Sequence, residues 1–124
     1  MALTTRISTD RTFSKRVSIS GRLDTITAPE LEVELDLITK QDIGLLVFDL
    51  ANLEYISSAG LRVIFKATKT IKAMGGQCGV LKMQPQIKKV FDIVKALPDI
   101  PIFKDDQEMD EYLDAMQQKV LNKD

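Results

Sequence analysis

A chain of 124 residues, 44% apolar and 28% charged, is long enough for one domain with its own core, and its net charge of −1 provides no field favouring nucleic acid or anionic lipid. Histidine is absent and cysteine occurs once, which excludes Ser-His-Asp and Cys-His nucleophiles, histidine phosphocarrier chemistry and an internal disulfide framework. The N-terminus has no apolar run of signal-peptide length and no segment approaches the roughly 20 apolar residues of a membrane span, so a cytoplasmic protein is expected.

Two short alternating segments, 3–9 and 13–20, open the chain and read as strands of a hairpin turning through Asp10-Arg11, with Phe13, Val17 and Ile19 on one side of the second. Thr27-Ala28-Pro29-Glu30 is a helix start with Thr27 as cap and Pro29 in the first turn. Leu31, Leu35 and Ile38 follow at helical spacing, with Val33 and Leu37 broadening the apolar side. Gly44 breaks the pattern, and residues 45–50 form a strand too apolar to be solvated on either face. A second helix runs to about Met74 with Leu61, Ile64, Ala67 or Thr68, and Ile71 as its buried stripe and Arg62, Lys66, Lys69 and Lys72 mostly elsewhere. Gly75-Gly76 reads as helix termination, and Cys78, in the strand that follows, as a small buried apolar residue.

Gln84-Pro85 opens a third helix carrying Ile87, Val90, Phe91 and Val94. Residues 100–103 form a short last strand, placed at an edge by Pro101. Asp105 and Glu108 have capping-box spacing for a final helix, whose inner stripe is Met109, Tyr112, Leu113 and Met116 and whose end frays from about Lys119. The order ββαβαβαβα implies a mixed, mainly parallel sheet with helices packed on it, in a single domain spanning 1–124. No metal, cofactor or catalytic constellation is expected.

The most informative stretch runs from Asp49 to Arg62, where a buried-strand pattern gives way to a helical one across Tyr55-Ile56-Ser57-Ser58-Ala59-Gly60-Leu61. Two serines therefore stand at a helix mouth, where unpaired N–H groups and a partial positive charge favour an anion. The first turn carries no acid, and neither serine has the Glu or Gln that would complete a capping box. Either serine also suits a plain N-cap.

Asp49-Leu50, a spacer, and Tyr55-Ile56-Ser57-Ser58-Ala59-Gly60-Leu61-Arg62 resemble the signature of the STAS-domain anti-sigma factor antagonists. The resemblance covers most of the chain, through Gly21-Arg22-Leu23-Asp24, Ala28-Pro29-Glu30-Leu31, Gly75-Gly76 and Ile102-Phe103. It implies the STAS fold and a bacterial, non-enzymatic partner-switching module. In that scheme the unphosphorylated form binds a serine protein kinase that is also the anti-sigma factor, phosphorylation releases it, and a PP2C-type phosphatase restores binding. The phosphoacceptor aligns with Ser58. Ser57 stands where the family often has Asp, and Ala59 where it often has a second serine, so Ser57 is the second choice. The partner surface implied is Asp24, Thr25, Thr27, Tyr55, Ile56, Ser57, Ser58, Ala59 and Arg62, on a monomer that binds neither nucleic acid nor membrane.

Two alternatives stand beside this reading. Asp49 at a strand end suits an aspartyl-phosphate receiver, with Lys104 after the last strand, although no acidic pair follows the first strands. A STAS interaction subunit that is never phosphorylated, as in some transport complexes, is the other.

Overall fold

The computed structural model describes residues 3–11, 13–41, 43–94 and 102–121. Its strands are β1 (Thr4–Arg11), β2 (Ser14–Leu23), β3 (Leu45–Asp49), β4 (Leu53–Ile56), β5 (Gln77–Leu81) and β6 (Ile102–Phe103). Its helices are α1 (Ala28–Ile38), α2 (Ser58–Ala73), α3 (Pro85–Val94) and α4 (Asp106–Leu121). The strands lie in the order β1-β2-β3-β5-β6; β1 runs antiparallel to β2 and the remaining pairs are parallel. The mixed α/β sheet expected from the sequence is therefore present, with one strand more than the pattern showed.

The extra strand is β4. Strand β2 is ten residues long and divides its pairing: Ser14–Ser18 face β3, while Gly21, Arg22 and Leu23 face Leu53, Tyr55 and Ile56 of β4. The hand-over occurs at Gly21, where φ is +96° and the register shifts, a conformation that glycine adopts at little cost. Asp49 makes the matching turn on the other chain segment by accepting the Ala51 N–H at 3.1 Å.

Alternation along β3 divides the core. Leu46 and Phe48 join Val17, Ile19, Leu31, Leu35, Ile64 and Ile71 beneath α1 and α2, while Leu45 and Val47 meet Leu81, Phe103, Met109 and Leu113 beneath α4. Cys78 is buried in the larger cluster, and desolvation pushes its thiol up to about 11, which suppresses the thiolate. Gly75, at φ +88°, closes α2: the Gly76 N–H donates to the Ile71 carbonyl at 2.9 Å and the Gly75 N–H to Lys72 at 3.0 Å, a Schellman ending.

Several local expectations need correction. The first hairpin does not turn at Asp10-Arg11, because Arg11 already pairs with Ser14 and donates its N–H to the Ser14 hydroxyl at 3.1 Å. Phe13 packs on the α4 side and not with Val17 and Ile19. Val33 and Leu37 are 62% and 60% exposed, so α1 buries only the stripe Ala28, Leu31, Leu35 and Ile38. Helix α4 continues to Leu121, past the fraying point expected near Lys119. Asp105 does cap it, accepting the Glu108 N–H at 2.9 Å, while Glu108 reaches back to the Lys104 N–H at 3.1 Å. Ile100 and Pro101 lie outside the described residues, as do the side chains of Val94 and Met116.

Candidate functional site

Strands β2 and β4 end side by side, and the Ser57 N–H donates to the Leu23 carbonyl at 2.9 Å. The loop entering α2 and the turn entering α1 therefore emerge on one rim of the sheet.

At this rim the two serines have different roles. Ser57 is extended (φ −97°, ψ 172°) and caps α2. Its hydroxyl accepts the Gly60 N–H at 3.2 Å, and its carbonyl accepts the Leu61 N–H at 2.9 Å. Ser58 occupies the first helical position and is exposed. The Gly60 and Leu61 N–H groups are thus already engaged. Among the described residues, the Ser58 and Ala59 N–H groups have no acceptor, and the first turn holds no acid. Gly60 is the contact that seats the helix, packed directly on Leu23.

The neighbouring turn is organised by Asp24. Its Oδ1 accepts the Ile26 and Thr27 N–H groups, each at 3.0 Å, and its backbone carbonyl accepts the Ala28 N–H at 2.9 Å. Hydrogen bonds from the Thr27 and Ile26 backbone, outweighing desolvation, hold this carboxyl below the ordinary 3.8. The side-chain cap expected of Thr27 is not made: Asp24 holds the turn before α1, and the Thr27 carbonyl accepts the Glu30 N–H at 3.1 Å. The Thr27 side chain makes no cap bond; its hydroxyl donates to the Arg22 carbonyl at 2.8 Å and accepts the Asp24 N–H at 2.9 Å. A carboxylate two or three residues before the free N–H groups reaches them without strain.

Of the remaining residues assigned to the partner surface, Thr25 and Arg62 are exposed, Tyr55 is 41% exposed and Ala59 is half-buried. Thr27 and Ile56, at 4% and 5%, lie beneath the rim and support it. The Arg22 guanidinium stacks over the Tyr55 ring, 4.2 Å from its centroid, and fixes that ring at the rim. Within the 21–27 segment of the rim, sequence reasoning did not single out two residues: Arg22 as a stacking partner and Ile26, which is 82% exposed. The cross-strand pairing of Arg22 with Tyr55 is visible only once β4 is placed.

Between α1 and α2, just below Ser58, lies an open groove lined by Thr25, Pro29, Glu32, Ala59, Arg62, Val63 and Lys66. Lys66 bridges Glu32 at 2.8 Å and Asp36 at 3.4 Å. Arg62 has no partner among the described residues and stands one helical turn after Ser58.

Asp49 is positioned differently. Its Oδ2 faces Arg16 at 3.5 Å, and Arg16 also pairs with Asp10 at 3.1 Å and Asp106 at 3.0 Å. Burial opposes the Arg16 charge, but Asp10 and Asp106 outweigh it and raise its pKa. Asp49 thus belongs to the ion network that docks α4. Among the described residues no cluster of acids, cysteine or histidine could hold a metal, and no helix is long and apolar enough to cross a membrane.

The profile of the STAS domain family matches residues 8–109. BtrV of Bordetella bronchiseptica, which carries the name of an anti-sigma factor antagonist, is 32% identical over 84 residues, covering 68% of this chain and 72% of BtrV. An anti-sigma F factor antagonist of Paenibacillus polymyxa is 30% identical over 88 residues, covering 70% and 75%. The crystal structure of an anti-sigma factor antagonist from Mycobacterium paratuberculosis superposes with a TM-score of 0.76 at 24% identity, covering 86% of this chain and 90% of that one.

Proposed function

The chain belongs to the STAS-domain family of anti-sigma factor antagonists, and from that premise we propose that it is a partner-switching module whose switch is phosphorylation of Ser58. Its unphosphorylated form binds a serine kinase that doubles as the anti-sigma factor and so frees that factor's client. The phosphorylated form dissociates, and a PP2C-type phosphatase resets it. The chain itself catalyses nothing; it is substrate and ligand.

One observation carries the choice of residue. Ser57 is committed as the N-cap, leaving Ser58 exposed beside two N–H groups without acceptors and no acid in the first turn. A phosphate there adds about −1.5 to −2 charges that the helix end tolerates without refolding. In a contact surface the same dianion must be desolvated and repels any acidic partner group, so affinity falls while the fold stays. A differential of ~2.7 kcal/mol, or a hundredfold in affinity, is enough to exchange partners.

The partner is proposed to contact the rim at Asp24, Thr25, Tyr55, Ser57, Ser58, Ala59 and Arg62, with Thr27 and Ile56 holding it from beneath. The test is incubation with the kinase and ATP, followed by intact mass and site mapping. Acid-stable phosphate on Ser58 is the expected result. A base-labile acyl phosphate on Asp49 would favour a receiver, and no adduct would favour a constitutive interaction subunit.

A further inference from the structure

Helix α1 and the turn that enters it leave an apolar stripe in water. Ile26, Val33 and Leu37 are 82%, 62% and 60% exposed. On α1 the four-residue spacing of Val33 and Leu37 keeps them within about 40° of one another around the helix axis at roughly 100° per residue, and Ile26 stands in the turn that enters the helix. Leu31, Leu35 and Ile38 on the other side are buried, so core packing does not account for the stripe. Isolated surface apolar residues need no explanation, but three along one helix and its entering turn point to a contact surface.

We propose that this stripe docks the anti-sigma factor, extending the rim contact along α1; the inference rests on the partner-switching reading above. Continuity is the first argument. Ile26 belongs to the Asp24 turn, next to Thr25, which lines the groove beneath Ser58. The stripe begins where the rim ends.

Area is the second argument. Helix α1 has 11 residues, about 16 Å of length. One face of that size falls well short of the roughly 1,200 Å² that a specific complex buries. Alone it would not hold a second copy of this chain, but it suits the flank of a larger footprint. Charge is the third. Glu32 and Asp36 share the one cation Lys66, and Glu34 accepts a hydrogen bond from Thr5. Exposed Glu30 lies within the stripe, so the occupant presents apolar side chains and a cation opposite Glu30.

Leu37 stands ten residues along the helix from Thr27, whereas Ser58 adjoins the helix start. The stripe and the phosphosite should therefore contribute independently. The experiment is Val33→Ser combined with Leu37→Ser, made in both the Ser58 and the Ser58→Asp proteins. Each is titrated calorimetrically with the purified kinase-type anti-sigma factors of the source organism, one at a time. Both positions are exposed, so the fold should survive, as circular dichroism will show. The expected result is about a tenfold loss of affinity, ~1.4 kcal/mol, in both backgrounds, with the ratio between backgrounds unchanged. Unaltered affinity, with Ser58→Asp still weakening binding, overturns the stripe and leaves the switch standing. Ser58→Asp without effect, while the serine pair weakens binding, overturns the switch and keeps the stripe. A wild-type dimer dissolved by the serine pair assigns the stripe to a second copy and overturns the proposal, and no binding to any of these factors overturns both.

Discussion

Gly60 and Leu23 are packed so closely that a Cβ on Gly60 would lie 2.6 Å from Leu23 Cγ and 3.1 Å from the Leu23 carbonyl oxygen. Leu23 is completely buried, and its carbonyl already accepts the Ser57 N–H. Neither neighbour can yield without moving the mouth of α2. Gly60→Ala therefore sets two effects against each other. Alanine raises helix propensity by about 1 kcal/mol, while overpacking costs about 1–3 kcal/mol. Net destabilisation is expected in urea unfolding, with an unchanged m-value. A more stable variant would show that α2 is free to lift off Leu23.

The two serines should separate cleanly. Ser57→Ala removes the hydroxyl that accepts the Gly60 N–H and should cost about 1 kcal/mol of stability while leaving Ser58 available to the kinase. Ser58→Ala should be nearly neutral in thermal melts and abolish phosphorylation. If Ser57→Ala alone removes the phosphate, the switch moves by one residue.

Ser58→Asp should act in opposite directions on stability and binding. A carboxylate at the first helical position of an acid-free turn is favourable to the helix dipole by about 0.3–1 kcal/mol. The same charge should weaken kinase binding, though less than phosphate does, because it carries fewer oxygens and less charge. Melting temperature and dissociation constant rising together is the signature. An unchanged dissociation constant would place Ser58 outside the contact.

Much of this was legible in advance because periodicity reports burial. The stripe Leu61, Ile64 and Ile71 fixed the orientation of α2, and the two-sided apolar run 45–50 marked β3 as central. What periodicity could not show was the hand-over within β2. A four-residue strand, Leu53–Ile56, with only its two ends buried has too few residues to display alternation, and its partner became available only through the bend at Gly21. Val33 and Leu37 misled for the opposite reason: they fall close enough to the buried stripe in sequence to look like its margin, yet face water. The division between capping Ser57 and exposed Ser58 depended on backbone angles, which adjacent identical residues do not disclose.

Two carboxyls should govern the acid limb of stability. Asp24 is held below the ordinary 3.8 by the Thr27 and Ile26 backbone bonds, and Asp106 by its hydrogen bond to Lys82 and then by Arg16. A carboxyl depressed in the folded state contributes stability that is full above its unfolded value and lost as pH falls through the folded one. Asp24→Asn with Asp106→Asn should therefore be less stable than wild type at pH 7. The difference should persist down to about pH 4 and close below it. A gap independent of pH would mean that the substitutions act through packing alone.

Arg62 is the last residue to test, as the unpaired cation one turn from Ser58. It lines the groove between α1 and α2 and is exposed, with no partner among the described residues, so it is available to a carboxylate on the kinase. Arg62→Glu reverses that charge and also places an acid beside any partner acid, so affinity should fall about tenfold or more. Lys104→Glu is the control, since Lys104 is equally exposed but precedes α4, which packs on the opposite face of the sheet. Arg62→Lys should recover part of the loss by keeping the charge without the bidentate geometry. Added salt should shrink the gap between Arg62→Glu and wild type, because exposed charges are screened over about 10 Å at 0.1 M. Equal, negligible effects of Arg62→Glu and Lys104→Glu, with both proteins folded, would place the interface away from this rim.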